Sequence, residues 1–281
     1  MSIQTSAGSL IHQTAVISEG AQIHHSAKIG PFAVIGPNVK IGEGTTIGAH
    51  AVIDGHTVIG NNCKIYAGAI VGLEPQDLKY AGEPTGVTMG NNVTVREYVT
   101  IHRATGDRQT IIGDDCFLMN YVHIAHDCRL GKGVIMANNT CLAGHVTIGD
   151  YCVFAGYCVV HQNVKVGRGT MVGGMTGTRV DLPPFTTCDG RPAAVRGINV
   201  IGLRRQKFAP PLRASIKQAY KLLYRSGLNF SQAIARIKEE LEPAAELDEI
   251  CSFFTESKRG VAPVFGEKYE AGETLDEGES I

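Results

Sequence analysis

Five histidines in the middle of this chain, His102, His123, His126, His145 and His161, occupy related places in a repeat. Imidazole is the side chain best suited to moving a proton near neutral pH, and it is also a common metal ligand. His102, His126, His145 and His161 follow the apolar residues Ile101, Ile124, Leu142 and Val160 by one to three positions, and His123 immediately precedes Ile124. If those apolar residues stack in one column with Val71, the histidines line one edge of the molecule. Such an edge could hold a general base, or ligate zinc from adjacent turns. It could also be no more than the packing of like residues that repeated folds favour. A second chemical feature lies further on, where residues 190–238 contain eleven Lys or Arg and no Asp or Glu. That stretch would attract anions, or simply form the solvated face of helices.

The elements that would position these groups follow from a six-residue period. Large apolar residues recur at Ile11, Ile17, Ile23, Ile29, Ile35, Ile41, Ile47, Ile53, Ile59, Ile65 and Val71. They resume at Met89, Val95 and Ile101, and again from Ile112 through Leu118, Ile124, Leu130, Met136, Leu142, Ile148, Phe154, Val160 and Val166 to Val172. No amphipathic helix has that period. Four residues after each comes a small or β-branched one, such as Ala15, Ala33, Val39, Thr45 or Cys63, so both face the same side of a short strand. Gly30, Gly36, Gly42, Gly48 and Gly60 directly follow the large residue, where a corner would call for positive φ. Three hexads, about eighteen residues, close a triangular coil, and coils stack at roughly 4.8 Å into a parallel β-helix. The two interruptions, 72–88 and 102–111, would sprout from the histidine-bearing corner.

Composition narrows the functional classes. The 43% hydrophobic content supplies a sizeable core, and a net charge of −1 argues against wholesale binding to nucleic acid or membrane. The N-terminus lacks the features of a signal peptide and no stretch is long and apolar enough for a membrane span, so a soluble cytoplasmic protein is expected. Cys63, Cys116, Cys128, Cys152 and Cys158 sit at the small inward position, which makes them core residues and neither disulfide partners nor nucleophiles.

The repeat ends at Pro183 and Pro184, which places the β-helix over 1–195. A C-terminal α-helical domain is expected over 196–263, with RPAAVRGINVIGLRRQKF read as a linker before helices at about Leu212–Ser226 and Ser231–Leu241 and a third after Pro243. The acidic, Gly-rich 264–281 reads as a flexible tail. A prism of this kind has no deep cleft, so a pocket requires the insertions or a neighbouring subunit. Outward apolar residues such as Tyr121 and Met175 suggest a homotrimer with sites between subunits.

Longer motifs are more specific than the hexads. PQDLKYAGEPT (75–85), YVTIHR (98–103), HIAHDC (123–128), LAGH (142–145) and YKLLYRSG (220–227) resemble the acyl-ACP:UDP-N-acetylglucosamine O-acyltransferases, over nearly the whole chain to about Gly260. The resemblance implies a left-handed β-helix and the first step of lipid A biosynthesis. In that step a 3-hydroxyacyl chain passes from acyl carrier protein to the 3-hydroxyl of UDP-N-acetylglucosamine, without cofactor, metal or covalent acyl-enzyme. It makes His126 the general base, Asp127 its supporting carboxylate, and the Gly144 N–H the donor to the tetrahedral oxyanion. It assigns Asp77, Lys79, His123, His145, His161 and Gln162 to substrate binding, Gly174 to the end of the acyl chain, and Asn199, Arg204 and Arg205 to the nucleotide diphosphate region. A glycine at 174 leaves room for a longer chain. One departure is Ile201, where the family motif NIEGL often carries Glu. The alternatives are the related N-acyltransferase of the same pathway, and a zinc-binding or non-enzymatic β-helix. The N-acyltransferase carries an additional N-terminal domain, whereas these hexads begin by Ile11.

Overall fold

The computed structural model describes residues 10–266. Most strands are two residues long, with the first side chain turned outward and the second inward. Successive strands belong to successive faces of a triangular prism, giving three sheets of nine, eight and ten strands. Pairing is parallel throughout, except where Ala194–Ile198 folds back antiparallel on Thr186–Asp189 at the end of the third sheet. The column expected from the sequence is present: Ile35 pairs with Ile53, Ile53 with Val71, Val71 with Ile101, Ile101 with Ile124, Ile124 with Leu142 and Leu142 with Val160. All are buried.

The five inward cysteines are buried as expected, and their thiols are also hydrogen-bonded. Cys116 Sγ donates to Gly131 O at 3.2 Å, Cys128 to Ala143 O at 3.2 Å and Cys152 to Gly167 O at 3.0 Å. Thr45 and Thr140, at the same hexad position, donate to Gly60 O and Ala155 O. Cys and Thr therefore interchange here for a physical reason: each fills a small inward space and satisfies a corner carbonyl of the next coil. Burial raises the Cys116 thiol to about 11 and the Cys128 and Cys152 thiols to about 12, so none is a thiolate near neutral pH.

The corner glycines correct the sequence reading. Gly30, Gly36, Gly42, Gly48 and Gly60 are not among the residues with positive φ. They are glycine because the next coil lies against them: a Cβ on Gly48 would stand 2.7 Å from Ala67 N, and one on Gly60 2.5 Å from Gly90 O. Positive φ falls two residues later, at Phe32, His50, Tyr98, Tyr121, Asp127, His145, Tyr157 and Met175 among others.

The two insertions narrow to residues 74–85 and 103–108, because Ile70–Leu73, Gly86–Met89, Thr100–His102 and Gln109–Ile112 all lengthen into the sheets. Both leave the first sheet and rejoin the second, so they share one corner.

The stretch expected as a linker is ordered structure. Ala194–Ile198 is a strand, and α1 (Val200–Arg205) follows it, N-capped by Asn199. Gly197 and Gly202 weaken the local signal for both elements, and tertiary contact supplies what propensity lacks, since Leu203 is fully buried. α2 (Pro210–Arg225), α3 (Phe230–Glu240) and α4 (Ala245–Glu256) then pack around Ile216, Tyr220, Leu223, Ile237, Ile250 and Phe254. Arg168 on the β-helix ties them down through Glu249 at 2.7 Å. The tail expected from 264 does not begin there, since Val264 bridges Val195 and Arg196 lies over the Phe265 ring; 267–281 lie outside the described residues. Among the described residues no helix is long and apolar enough to cross a membrane.

Candidate active site

The corner carrying the insertions gathers His126, Asp127, Gly144 and His145. His126 and Asp127 follow Ile124, and Gly144 and His145 follow Leu142 one coil later, so the strand register superposes them. His126 Nδ1 lies 2.7 Å from Asp127 Oδ2. Asp127 is 6% exposed. Its Oδ2 also accepts from Thr105 Oγ1 at 2.8 Å, and its backbone N–H donates to Thr110 Oγ1 at 3.0 Å. Burial pushes this carboxyl up, but hydrogen bonds from His126 and Thr105 outweigh it and hold the group below its ordinary value. Asp127 is therefore an anion that accepts from His126 Nδ1–H, which leaves His126 Nε2 free to take a proton.

Gly144 packs directly on that imidazole. A Cβ here would stand 2.6 Å from His126 Cε1 and 2.7 Å from Nε2, so only glycine leaves space beside the basic nitrogen. The Gly144 carbonyl accepts from Asn163 N at 3.0 Å, while among the described residues nothing accepts from the Gly144 N–H. A free imidazole nitrogen and an unpaired N–H on the residue packed against that ring are groups acyl transfer can use, one for the proton and one for the oxyanion.

The remaining histidines extend the edge on either side. His145 stands edge-on to His126 with ring centroids 5.1 Å apart, and its Nε2 is 3.8 Å from Asp127 Oδ2. His123 Nδ1 is bonded to Thr100 Oγ1 at 2.8 Å, and His102 packs edge-on to His123 at 5.3 Å. Burial lowers the pKa of His102, His123 and His145 alike, and neighbouring histidines add to the effect on each. His161 lies beyond, its Nδ1 3.3 Å from Gln162 O and 3.3 Å from Arg259 Nη2.

The first insertion brings Asp77 within electrostatic reach of His145. Asp77 Oδ1 accepts from the Lys79 N–H at 2.9 Å, a tight turn that leaves the Lys79 ammonium exposed. Arg103 holds the insertion through Glu74 at 3.2 Å and Tyr80 Oη at 3.0 Å.

Four expected residues are not brought to this corner within one chain. Gly174 lies on the corner between the third and first sheets, beside exposed Met175. Asn199 lies over the corner between the second and third sheets, where its amide donates to Gly169 O and accepts from Gly202 N, both at 2.9 Å. Arg204 and Arg205, exposed in the last turn of α1, extend from that place. Sequence reasoning missed Thr105, Arg108 and Arg259. The first two lie in the second insertion, whose position at the histidine corner is the signal that would have found them.

The donors of His126, Asp127 and His145 lie within 4.8 Å of one another and could hold a metal ion. The Arg108 guanidinium, 3.0 Å from His145 Nδ1, opposes a dication at that point.

Comparison with known proteins decides the family. A profile described as "Udp N-acetylglucosamine O-acyltransferase; Domain 2" matches residues 181–262, and the bacterial transferase hexapeptide profile matches 20–55, 38–72 and 109–144. A curated relative from Thermodesulfovibrio yellowstonii, named acyl-[acyl-carrier-protein]–UDP-N-acetylglucosamine O-acyltransferase, is 47% identical over 72% of this chain and 79% of its own. The chain belongs to the UDP-N-acetylglucosamine O-acyltransferase family. Solved structures agree. The UDP-N-acetylglucosamine acyltransferase from Campylobacter jejuni superposes with a TM-score of 0.86 at 40% identity, covering 91% of this chain and 99% of its own. The Acinetobacter baumannii structure gives 0.87 at 41% identity, covering 90% and 99%. The fold of this acyltransferase is thus the left-handed parallel β-helix with a C-terminal helical region.

Proposed function

We propose that this member of the family transfers a 3-hydroxyacyl chain from acyl carrier protein to the 3-hydroxyl of UDP-N-acetylglucosamine in the cytoplasm, the first step of lipid A biosynthesis. The single observation that carries the mechanism is Gly144, whose lack of a side chain leaves room beside His126 Nε2 and whose N–H has no acceptor among the described residues. His126 Nε2 takes the proton of the sugar 3-hydroxyl as its oxygen attacks the thioester carbonyl. The Gly144 N–H donates to the oxyanion, the C–S bond breaks, and the imidazolium returns its proton to the departing thiolate. Asp127 holds the tautomer and stabilises the transient cation. No metal, cofactor or covalent acyl-enzyme takes part.

Substrate placement calls for more than one copy. Asp77, Lys79, His123, His145, His161 and Gln162 lie along the histidine corner, whereas Gly174 and the Asn199, Arg204 and Arg205 group lie on the other two. A homotrimer in which corners of neighbouring subunits meet would join them. Support comes from the exposed column Phe32, Tyr98, Tyr121, Tyr157 and Met175 on the corner that holds Gly174, an apolar stripe suited to burial. Acyl carrier protein is acidic, and α2 presents Arg213, Lys217, Lys221 and Arg225 at four-residue spacing on one face.

The test is an assay of the purified chain with UDP-N-acetylglucosamine and 3-hydroxyacyl carrier proteins, the product analysed by mass spectrometry. An ester at the 3-position, formed at an unchanged rate in the presence of a chelator, is expected. Absence of product with every chain length, or loss of the rate to the chelator, would reject the reading.

A further inference from the structure

The second insertion reaches Asp127 and one of the two rings that face it, His145. Thr105 donates to Asp127 through its hydroxyl at 2.8 Å and its N–H at 3.3 Å, and three residues later Arg108 Nη1 stands 3.0 Å from His145 Nδ1. The loop is itself held. The Arg108 N–H donates to Thr105 O at 3.3 Å, and buried Ala104 accepts at its carbonyl from Thr85 Oγ1.

We propose that Arg108 is a positioning residue that fixes His145 as the Nε2–H tautomer, opposite to that of His126, so that only one of the two rings facing Asp127 is a base. A guanidinium can only donate, so a contact of 3.0 Å requires the lone pair to be on His145 Nδ1. The neutral ring then carries its hydrogen on Nε2, the nitrogen 3.8 Å from Asp127 Oδ2. His126 presents its Nδ1 to the same oxygen at 2.7 Å. A carboxylate can only accept, so here the hydrogen is on Nδ1 and Nε2 is bare.

Full protonation of His145 would undo this arrangement, and its surroundings oppose it. The titratable and charged groups facing the ring are Asp127 and Asp77, which favour the cation, and Arg108 and, when protonated, His126, which disfavour it; burial is the largest influence and also favours the neutral ring. The consequence is a division of labour within one histidine pair. His145 supplies an N–H to the site and cannot compete with His126 for the substrate proton. That catalytic consequence rests on the transferase reading, whereas the tautomer assignment does not.

The ring nitrogens of the full chain, without substrate, are to be followed by long-range proton–nitrogen NMR in the wild type, Arg108→Leu and Arg108→Lys. The wild type is expected to show His145 with an unprotonated Nδ1. Arg108→Leu should show the two tautomers averaging, and Arg108→Lys should recover part of the pattern, since an ammonium donates to the same nitrogen from a more flexible stem. Loss of one such hydrogen bond should lower kcat/KM about tenfold in Arg108→Leu. A protonated Nδ1 on wild-type His145, or an unchanged pattern in Arg108→Leu, would overturn the proposal. A chain that transfers no acyl group while keeping the expected pattern would reject the transferase reading and uphold the tautomer assignment.

Discussion

His126 and Asp127 are consecutive residues whose side chains are hydrogen-bonded to each other at 2.7 Å. Neighbours on an extended strand point to opposite faces, and what brings these two together is the φ of 61° at Asp127, the left-handed corner of the coil. The dyad is thus built by the turn that closes the β-helix. Asp127→Asn separates charge from backbone, because Asn also tolerates the left-handed region. Loss of a hydrogen bond to a charged group corresponds to about 1.5–3 kcal/mol, or roughly 10- to 100-fold in kcat. His126→Ala should remove about 10² to 10⁴. Both variants should keep the wild-type circular dichroism spectrum, and steady-state kinetics showing either variant near wild-type rate would reject the dyad.

Gly144→Ala tests the space beside the base. The new methyl would stand 2.6 Å from His126 Cε1, and because the imidazole is the end of a side chain, it is the ring that must shift. Displacement of a catalytic group by about 1 Å costs on the order of 10²-fold. The expected result is that loss in kcat with little change in melting temperature. A large fall in thermal stability with kcat preserved in the folded fraction would mean that the coil, not the ring, had moved.

Buried titratable groups make the stability of the fold depend on pH. His102, His123 and His145 have pKa values lowered by burial from 6.5, so below that value the unfolded chain binds protons that the folded chain refuses. Stability is then complete above 6.5 and is lost as the pH falls below it. Asp127, also lowered, adds a further loss below its ordinary 3.8 as it becomes protonated. Asp181, raised by burial, acts in the other direction, its contribution falling as the pH rises from 3.8 through its higher folded value. Denaturant titrations should show stability declining between about pH 6.5 and 5. His145→Gln should reduce that slope, and a slope unchanged by the substitution would show that His145 does not contribute.

The column from Val71 to Val160, the inward cysteines and the shared corner of the two insertions were legible because a period of six is local and survives interruption by long loops. The corner glycines were misread for a related reason. Their cause is the backbone of the next coil, about eighteen residues away, and a residue's own sequence neighbours do not report it. Thr105 and Arg108 lie in a loop without period, and their partners Asp127 and His145 are reached only across coils. The Ala194–Ile198 strand and α1 escaped because each contains glycine and is held by contacts distant in sequence.

Thiol labelling should report unfolding and not chemistry. Seven of the eight cysteines are buried, and Cys141 alone is intermediate. It lies outward on the first sheet, in register with His123. A maleimide under native conditions is expected to modify at most Cys141, with the other seven reacting only at the rate of unfolding. Rapid native modification of Cys128 or Cys152 would contradict their place in the core, and loss of activity in a Cys141→Ala variant on such treatment would point to one of the inward thiols.

Glycines 60 and 174 should respond to the same substitution in opposite ways. A Cβ at Gly60 would stand 2.5 Å from Gly90 O, a backbone atom of the next coil, so Gly60→Ala forces coils apart and should destabilise by about 1–3 kcal/mol. At Gly174 nothing lies nearer than 3.7 Å from the added atom, so Gly174→Ala should leave the melting temperature unchanged. The fold does not require that glycine, and its proposed role at the far end of the acyl chain gives it a separate reason to be small. Gly174→Met would then fill the terminus of the acyl channel. A methylene excluded from an apolar pocket is worth roughly 1–3 kcal/mol, so kcat/KM for the longest accepted 3-hydroxyacyl chain should fall about 10- to 200-fold while shorter chains are spared. Competition assays with carrier proteins of graded chain length measure this directly, and an unchanged preference in Gly174→Met would place the end of the acyl chain elsewhere.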